Sequence, residues 1–302
     1  MKNASLFHKL IFANLLYSIP VLALVFLMVK AQNTNIDFAR QELKGNIYQQ
    51  PLEKMLKELG HIRIHSARQN VKDYNWKNFD LAFDEFKAAQ KSVGQDLQFT
   101  KEGLAQRKRS QVEFGEIENK WRTTKELLQS SNEKGEEALS ALIADVRTLI
   151  THAGDTSNLI LDPDLDSYYL MDVTLLALPQ TQDRIQDISQ KAIRVLRGET
   201  ELKKDLQTEF AVLAALLKQS DLDRIVADTQ TVLQEDPNFN GPSSTLKTKL
   251  EPAINNYKAS NEKLIAAVTQ LSKGDVSGLT EETFFKVFEE SYASAFDAWF
   301  VA

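Results

Sequence analysis

The sequence predicts an all-α fold: an elongated antiparallel helical bundle preceded by one transmembrane helix. Three observations lead there. Gly (11) and Pro (7) are few among 302 residues, whereas the strong helix formers are plentiful. Apolar residues recur at intervals of three and four along most of the chain. The N-terminus carries a long apolar run that no soluble surface helix would show. The apolar content is ample for a core, which excludes a disordered chain.

The first element is that run. Ile11 to Val29 is uncharged and mostly apolar, bounded by Lys2, Lys9 and Lys30. At about 1.5 Å per residue it spans about 30 Å of hydrocarbon. Residues 1–9 then form a short cytoplasmic leader, 10–30 the membrane helix, and 31–302 an exported domain, because Lys2 and Lys9 favour a cytoplasmic N-terminus. A signal peptide cleaved at "VKA" is the alternative; the run exceeds the usual apolar length of such a peptide, which favours an uncleaved anchor.

Beyond it, Ile36, Ala39, Leu43, Ile47, Leu52, Met55, Leu56, Leu59 and Ile62 mark one inward stripe on a helix from about Asn33 to about Gln69, kinked at Pro51. "NVKDYNW" reads as a turn, and Lys77 to Ser130 as one long helical stretch ended by "SSNEKG". A third helix leads into "SNLILDPDLDSYYLMD", where Asp162 caps and Pro163 opens a new helix, with Asp164 and Asp166 in its first turn. Helices of about thirty residues follow, then the "QEDPNFNGPSS" loop, a helix from Ser244 to Ser272, and a last one from Thr280. Thr280 is its expected N-cap, with Leu279 stapled to Phe284, and Phe285, Phe288, Tyr292, Phe296 and Trp299 form its inward seam. A helix of about 35 residues is about 50 Å long, so the lengths admit two bundles stacked end to end. The aromatic end of the last helix is expected beside the membrane, with a second span to follow.

Composition narrows the function. The net charge is −6 and no basic arm is interleaved with aromatics, so nucleic acid is not an expected partner. There is no cysteine, hence no thiolate chemistry. No phosphate-binding loop, nucleophile elbow or HExxH motif occurs, so neither an enzyme nor a cofactor is expected. Asp162, Asp164 and Asp166 begin like a calcium loop, but Ser167 and Val173 stand where Gly and Glu are needed. His61 and His65, with Glu58 one turn earlier, have chelating spacing but lie on the expected wet face, so no metal is assigned.

The candidate site is polar. Leu165, Tyr169, Asp172, Leu176 and Pro179 recur at 4, 3, 4 and 3, which sets Asp172 on an inward seam where a carboxylate needs a partner. Arg63 follows Leu52, Leu56 and Leu59 onto the inward stripe of the first helix and is the candidate partner. Either Arg63, Asp172 and the tyrosines satisfy one another as a buried layer, or Arg63 binds a small carboxylate that Tyr168 or Tyr169 orients.

Glu42, Gly45 and Tyr48 within "IDFARQELKGNIYQQPLEKMLKELGHIR", followed by "SNLILDPDLDSYYLMD" and "LLALP", resemble the periplasmic sensor region of bacterial methyl-accepting chemotaxis proteins, of the helical bimodular type, which implies two stacked four-helix modules on the periplasmic face of the bacterial inner membrane. Related versions precede histidine kinases and diguanylate cyclases. The resemblance implies an uncleaved anchor, a homodimer, and a stimulus that is a small molecule or a periplasmic binding protein presenting one. It also implies a second membrane helix, a HAMP relay and a cytoplasmic coiled coil, none of which lies in these 302 residues. The rival expectation is a membrane-anchored structural or adaptor protein without a ligand.

Overall fold

The computed structural model describes residues 5–130, 132–161, 163–239 and 241–302. It is all-α, and no strand occurs among the described residues. Helix α1 (Leu6–Ala67) is a single rod of 62 residues that passes through Pro20 and Pro51 without interruption, about 93 Å at the helical rise. Its apolar window has a mean hydropathy of 2.3 and none of it is buried, and among the described residues it is the one helix long and apolar enough to cross a membrane.

Two four-helix sets follow. The first comprises the upper half of α1 with α2 (Lys77–Val93), α4 (Phe114–Ser130) and α5 (Asn132–Thr156), with the short α3 (Lys101–Gln106) beneath. The second comprises α6 (Leu165–Met171) running through a π-turn (Asp172–Ala177) into α7 (Leu178–Leu196); α8 (Lys204–Leu216) running through another (Leu217–Leu222) into α9 (Asp223–Glu235); then α10 (Leu246–Ser272) and α11 (Glu281–Val301). Along the upper half of α1 the two sets lie side by side. Both sets supply partners at the same heights of α1. One turn before its C-terminal end Arg63 reaches Ser140 on α5 and Asp183 on α7. At its far end Arg68 pairs with Glu281 on α11, while Glu136 on α5 pairs with Arg194 on α7.

This arrangement corrects the single inward stripe expected for the first helix. From Leu52 to Ala67 α1 is buried on nearly all sides, because it is wedged between the two sets and not laid against one. Lower down, Ile36 (46% exposed), Leu43 (63%) and Ile47 (50%) face out, and Gly45, Tyr48 and Gln49 turn inward instead. A single apolar stripe is the wrong template for a helix with two buried faces.

Helix ends follow local chemistry. The stretch expected to run unbroken from Lys77 to Ser130 is cut twice, between Val93 and Lys101 and between Gln106 and Phe114, and each connection contains a residue at positive φ, Gln98 (55°) and Lys108 (57°). Between them Thr100 caps α3 by accepting from the Gly103 N–H at 3.1 Å. Thr280 caps α11 as expected, forming a reciprocal capping box with Thr283, and Leu279 packs on the core ahead of buried Phe284. The expected Asp162 cap lies outside the described residues; α6 begins at Leu165 with Asp164 at its N-cap, so Pro163 precedes the helix.

α11 descends antiparallel to α1 with Phe288, Tyr292, Phe296 and Trp299 buried, as its seam predicts. The helices meet at Gly60, where a Cβ would overlap the Tyr292 hydroxyl. Gly60→Ala is therefore expected to destabilise by about 1–3 kcal/mol through overpacking, despite alanine's better helix propensity. Thermal unfolding of the full chain in detergent would show it against Gly115→Ala, where a Cβ meets nothing within 4 Å.

Candidate functional site

The two motifs that carry the family resemblance meet at the end of the bundle nearest the apolar segment. Gly45 lies against Ser157 and Leu159 so closely that a Cβ would overlap both, and the Gln41 amide donates to the carbonyls of Asp96 (2.9 Å) and Thr156 (3.1 Å). Between them opens a cleft of about 530 Å³, lined by Glu42, Asn46 and Gln49 from the first motif, Ser167 and Met171 from the second, and Trp299 and Phe300 from α11. Its size is that of a small-molecule site. The Trp299 indole donates to the Thr174 carbonyl at 2.7 Å, tying α11 to the π-turn.

Arg63 and Asp172 do not form one layer. Asp172 lies eleven residues before Asp183, about 16 Å of helix. Arg63 donates to Asp183 Oδ1 and Ser140 Oγ, both at 3.3 Å, while Asp183 also accepts from Arg147 at 2.6 Å. Asp172 is gripped by Arg224 on α9, through Nε at 2.8 Å and an Nη at 2.5 Å. Tyr168 is exposed and Tyr169 half-buried, their rings edge to face at 5.5 Å. Asp172 thus has the partner its inward position demands, but on a helix that the sequence did not single out. The expected 4-3-4-3 seam does not hold: Leu165, at the start of α6, and Leu176, in the π-turn that begins at Asp172, are each 40% exposed.

Around Asp172 the second set holds a ladder of charges. Asp221 in the other π-turn pairs with Arg184 at 2.6 Å, and burial pushes its carboxyl up to about 6. Asp228 is pushed up to about 7, by burial first and then by Asp172 beside it. π-turns are found often at functional positions; here both carry a buried carboxylate.

A second polar array was not legible beforehand. Above the cleft, α1 and α7 meet along a seam of Gln49, Glu53, Gly60 and Arg63 against Gln182, Gln186 and Ser189. Glu53, Gln182, Gln186 and Ser189 are 0% exposed. Most of the described buried polar atoms that lack a hydrogen bond belong to this seam: both Glu53 carboxyl oxygens, both Gln182 amide atoms, Gln49 Nε2, Gln186 Oε1, Ser189 Oγ and Arg63 Nε. Tyr292 from α11 closes it, accepting from Gln186 Nε2 at 2.9 Å and donating between the carbonyls of Leu56 (3.2 Å) and Lys57 (3.1 Å). Burial raises the Glu53 carboxyl from its ordinary 4.5 to about 8, with the neighbouring Gln182 amide opposing weakly. The 4-3-4-3 recurrence of positions 49, 53, 56, 60 and 63 was the available signal.

The expected wet-face histidines have partners of their own. His65 Nδ1 lies 2.9 Å from Asn70 Oδ1, and His61 Nδ1 lies 3.5 Å from Glu289. Glu58, the third residue of that spacing, accepts from the Tyr74 hydroxyl. Compared with family models, with curated proteins and with solved structures, the chain matches none.

Proposed function

We propose that this chain is the ligand-sensing module of a chemotaxis-type transmembrane receptor, anchored in the bacterial inner membrane by the apolar part of α1, with the bundle in the periplasm. The observation that carries the reading is the continuity of α1: one helix joins the apolar segment to the packed seam between the two sets. Any change in how α1 packs against α7 and α11 is transmitted along that rod, because close-packed helices shift between discrete arrangements and do not deform softly. The cleft where the two motifs meet is the proposed ligand site, since it touches α1, the segment entering α7 and the end of α11 together. A small polar molecule with an apolar body suits its mixed lining, as does a protein presenting one. Such a ligand shifts the helices only if it binds one arrangement better than the other. A homodimer is part of this reading.

The test is a thermal-shift screen of the full chain in nanodiscs against organic acids, amino acids, polyamines and inorganic anions. A ligand at 100 times its dissociation constant adds about 2.7 kcal/mol to stability. A hit that disappears in Asn46→Trp, which fills the cleft from an exposed position, supports the site. If no compound in the panel shifts a well-folded chain, the ligand-free adaptor becomes the better reading.

A further inference from the structure

Glu53 sits in the packed C-terminal half of the helix that carries the apolar segment, fully buried, with neither carboxyl oxygen in a hydrogen bond of ordinary geometry. The cations around it are engaged elsewhere: Lys57, one turn on along the same helix, lies over the Phe296 ring, 5.8 Å from its centroid. Arg63 on its own helix is held by Asp183, and Arg147 from α5 is held by the same carboxylate. Glu58 accepts from Tyr74, Glu85 from α2 is bound by Lys54 on the outer side, and Tyr292 from α11 is neutral and bonded to backbone carbonyls. What faces Glu53 is the carboxamide of Gln182, also fully buried with both polar atoms unused.

A carboxylic acid and a carboxamide are complementary: the acid O–H donates to the amide oxygen, and the amide N–H donates to the acid carbonyl. A small rotation of either side chain completes the pair, as amide orientation is set by such networks. Loss of the proton removes the first bond and leaves a carboxylate buried without a counter-charge, which is far more costly than a neutral polar group. The packed seam therefore accepts only the protonated side chain.

We infer that Glu53 is a proton-binding site that works the seam as a switch: release of its proton to solvent separates α1 from α7, and rebinding closes them. The inference rests on the sensory reading above and names a stimulus for it, the proton, at a place distinct from the cleft. The raised carboxyl of Glu53 agrees with this, because it puts the transition on the mildly alkaline side of neutrality. Once opened, the seam admits water to Gln49, Gln186 and Ser189 as well, whose unused hydrogen-bonding atoms favour hydration. The closed arrangement is thus held by apolar packing on either side and opposed by the polar row within it.

The chain has no cysteine, so two introduced ones take spin labels without background. Labels at Thr123→Cys on α4 and Lys258→Cys on α10, both exposed, put one probe on each set of the full chain in nanodiscs. The inter-label distance is expected to lengthen between pH 6 and pH 9.5 in the wild-type background and to stay at its pH 6 value in Glu53→Gln. Asp228, a second carboxyl raised to about 7, is controlled by Asp228→Asn, which should leave the change intact. An unchanged distance across the range, or an equal change in Glu53→Gln, overturns the proton switch. A cleft ligand that still moves the labels in that case would leave the sensory reading standing, so the two fail separately.

Discussion

Asp183→Ala is expected to destabilise the folded chain by about 3 kcal/mol, the low end of the range for removing one partner of a buried ion pair. The Arg63 side chain is 8% exposed and Asp183 26% exposed, so the loss falls mainly on the guanidinium, left buried with Ser140 as its remaining side-chain partner. Arg147, 38% exposed, turns to water at little expense. The diagnostic is the pair: Arg63→Met together with Asp183→Ala should recover most of the stability, because a well-packed apolar replacement removes the stranded charge. Equilibrium denaturation of the full chain in detergent, with a double-mutant cycle, measures both. A loss below about 1 kcal/mol for Asp183→Ala would mean that water reaches Arg63 and that the two sets are less tightly joined than the seam implies.

What the sequence disclosed was local chemistry with one dominant cause. The Thr280 cap, the apolar run and the Phe288–Tyr292–Phe296–Trp299 seam each depend on residues within a few turns of one another, and each stands in the structure as the residues dictate. What stayed hidden depends on which faces meet. Ile36, Leu43 and Ile47 share spacing with the buried residues above them, yet they lie below the level at which both sets enclose α1. Asp172 was recognisable as an inward carboxylate in need of a cation, but arginines occur on several helices, and choosing Arg224 over Arg63 required knowing that α6 pairs with α9. A π-turn leaves no periodic mark, so the shift in register at Asp172 could not be read ahead of the coordinates. Glu53 carries no mark of its own in the sequence, since a glutamate in a helix is ordinarily a solvated surface residue, a rule that fails on a helix packed from both sides.

Glu53→Gln is the converse case, a substitution expected to stabilise, and by an amount that depends on pH. The carboxyl is raised from 4.5 to about 8 in the folded chain, so the folded form binds the proton more tightly than the unfolded one. Its contribution is fully present below the unfolded value and is lost as pH rises toward and through the folded value, after which no further change occurs. Each unit is worth about 1.4 kcal/mol, so at pH 7 the wild-type chain has given up about 3 kcal/mol relative to pH 4.5. Glutamine keeps the shape and can pair with Gln182, but does not titrate. The variant should therefore match the wild type near pH 4.5 and exceed it at pH 7 by about 3 kcal/mol, roughly 6–12 °C in melting temperature for a bundle of this size. The growth of this gap above pH 7 also tests the switch. If the wild-type seam opens locally when Glu53 ionises, the gap stops growing once opening costs less than keeping a buried carboxylate, and it levels off below pH 8. If the seam stays shut, the gap climbs to about 5 kcal/mol by pH 9. A gap that is the same at every pH would show that the Glu53 proton plays no part in how α1 is held.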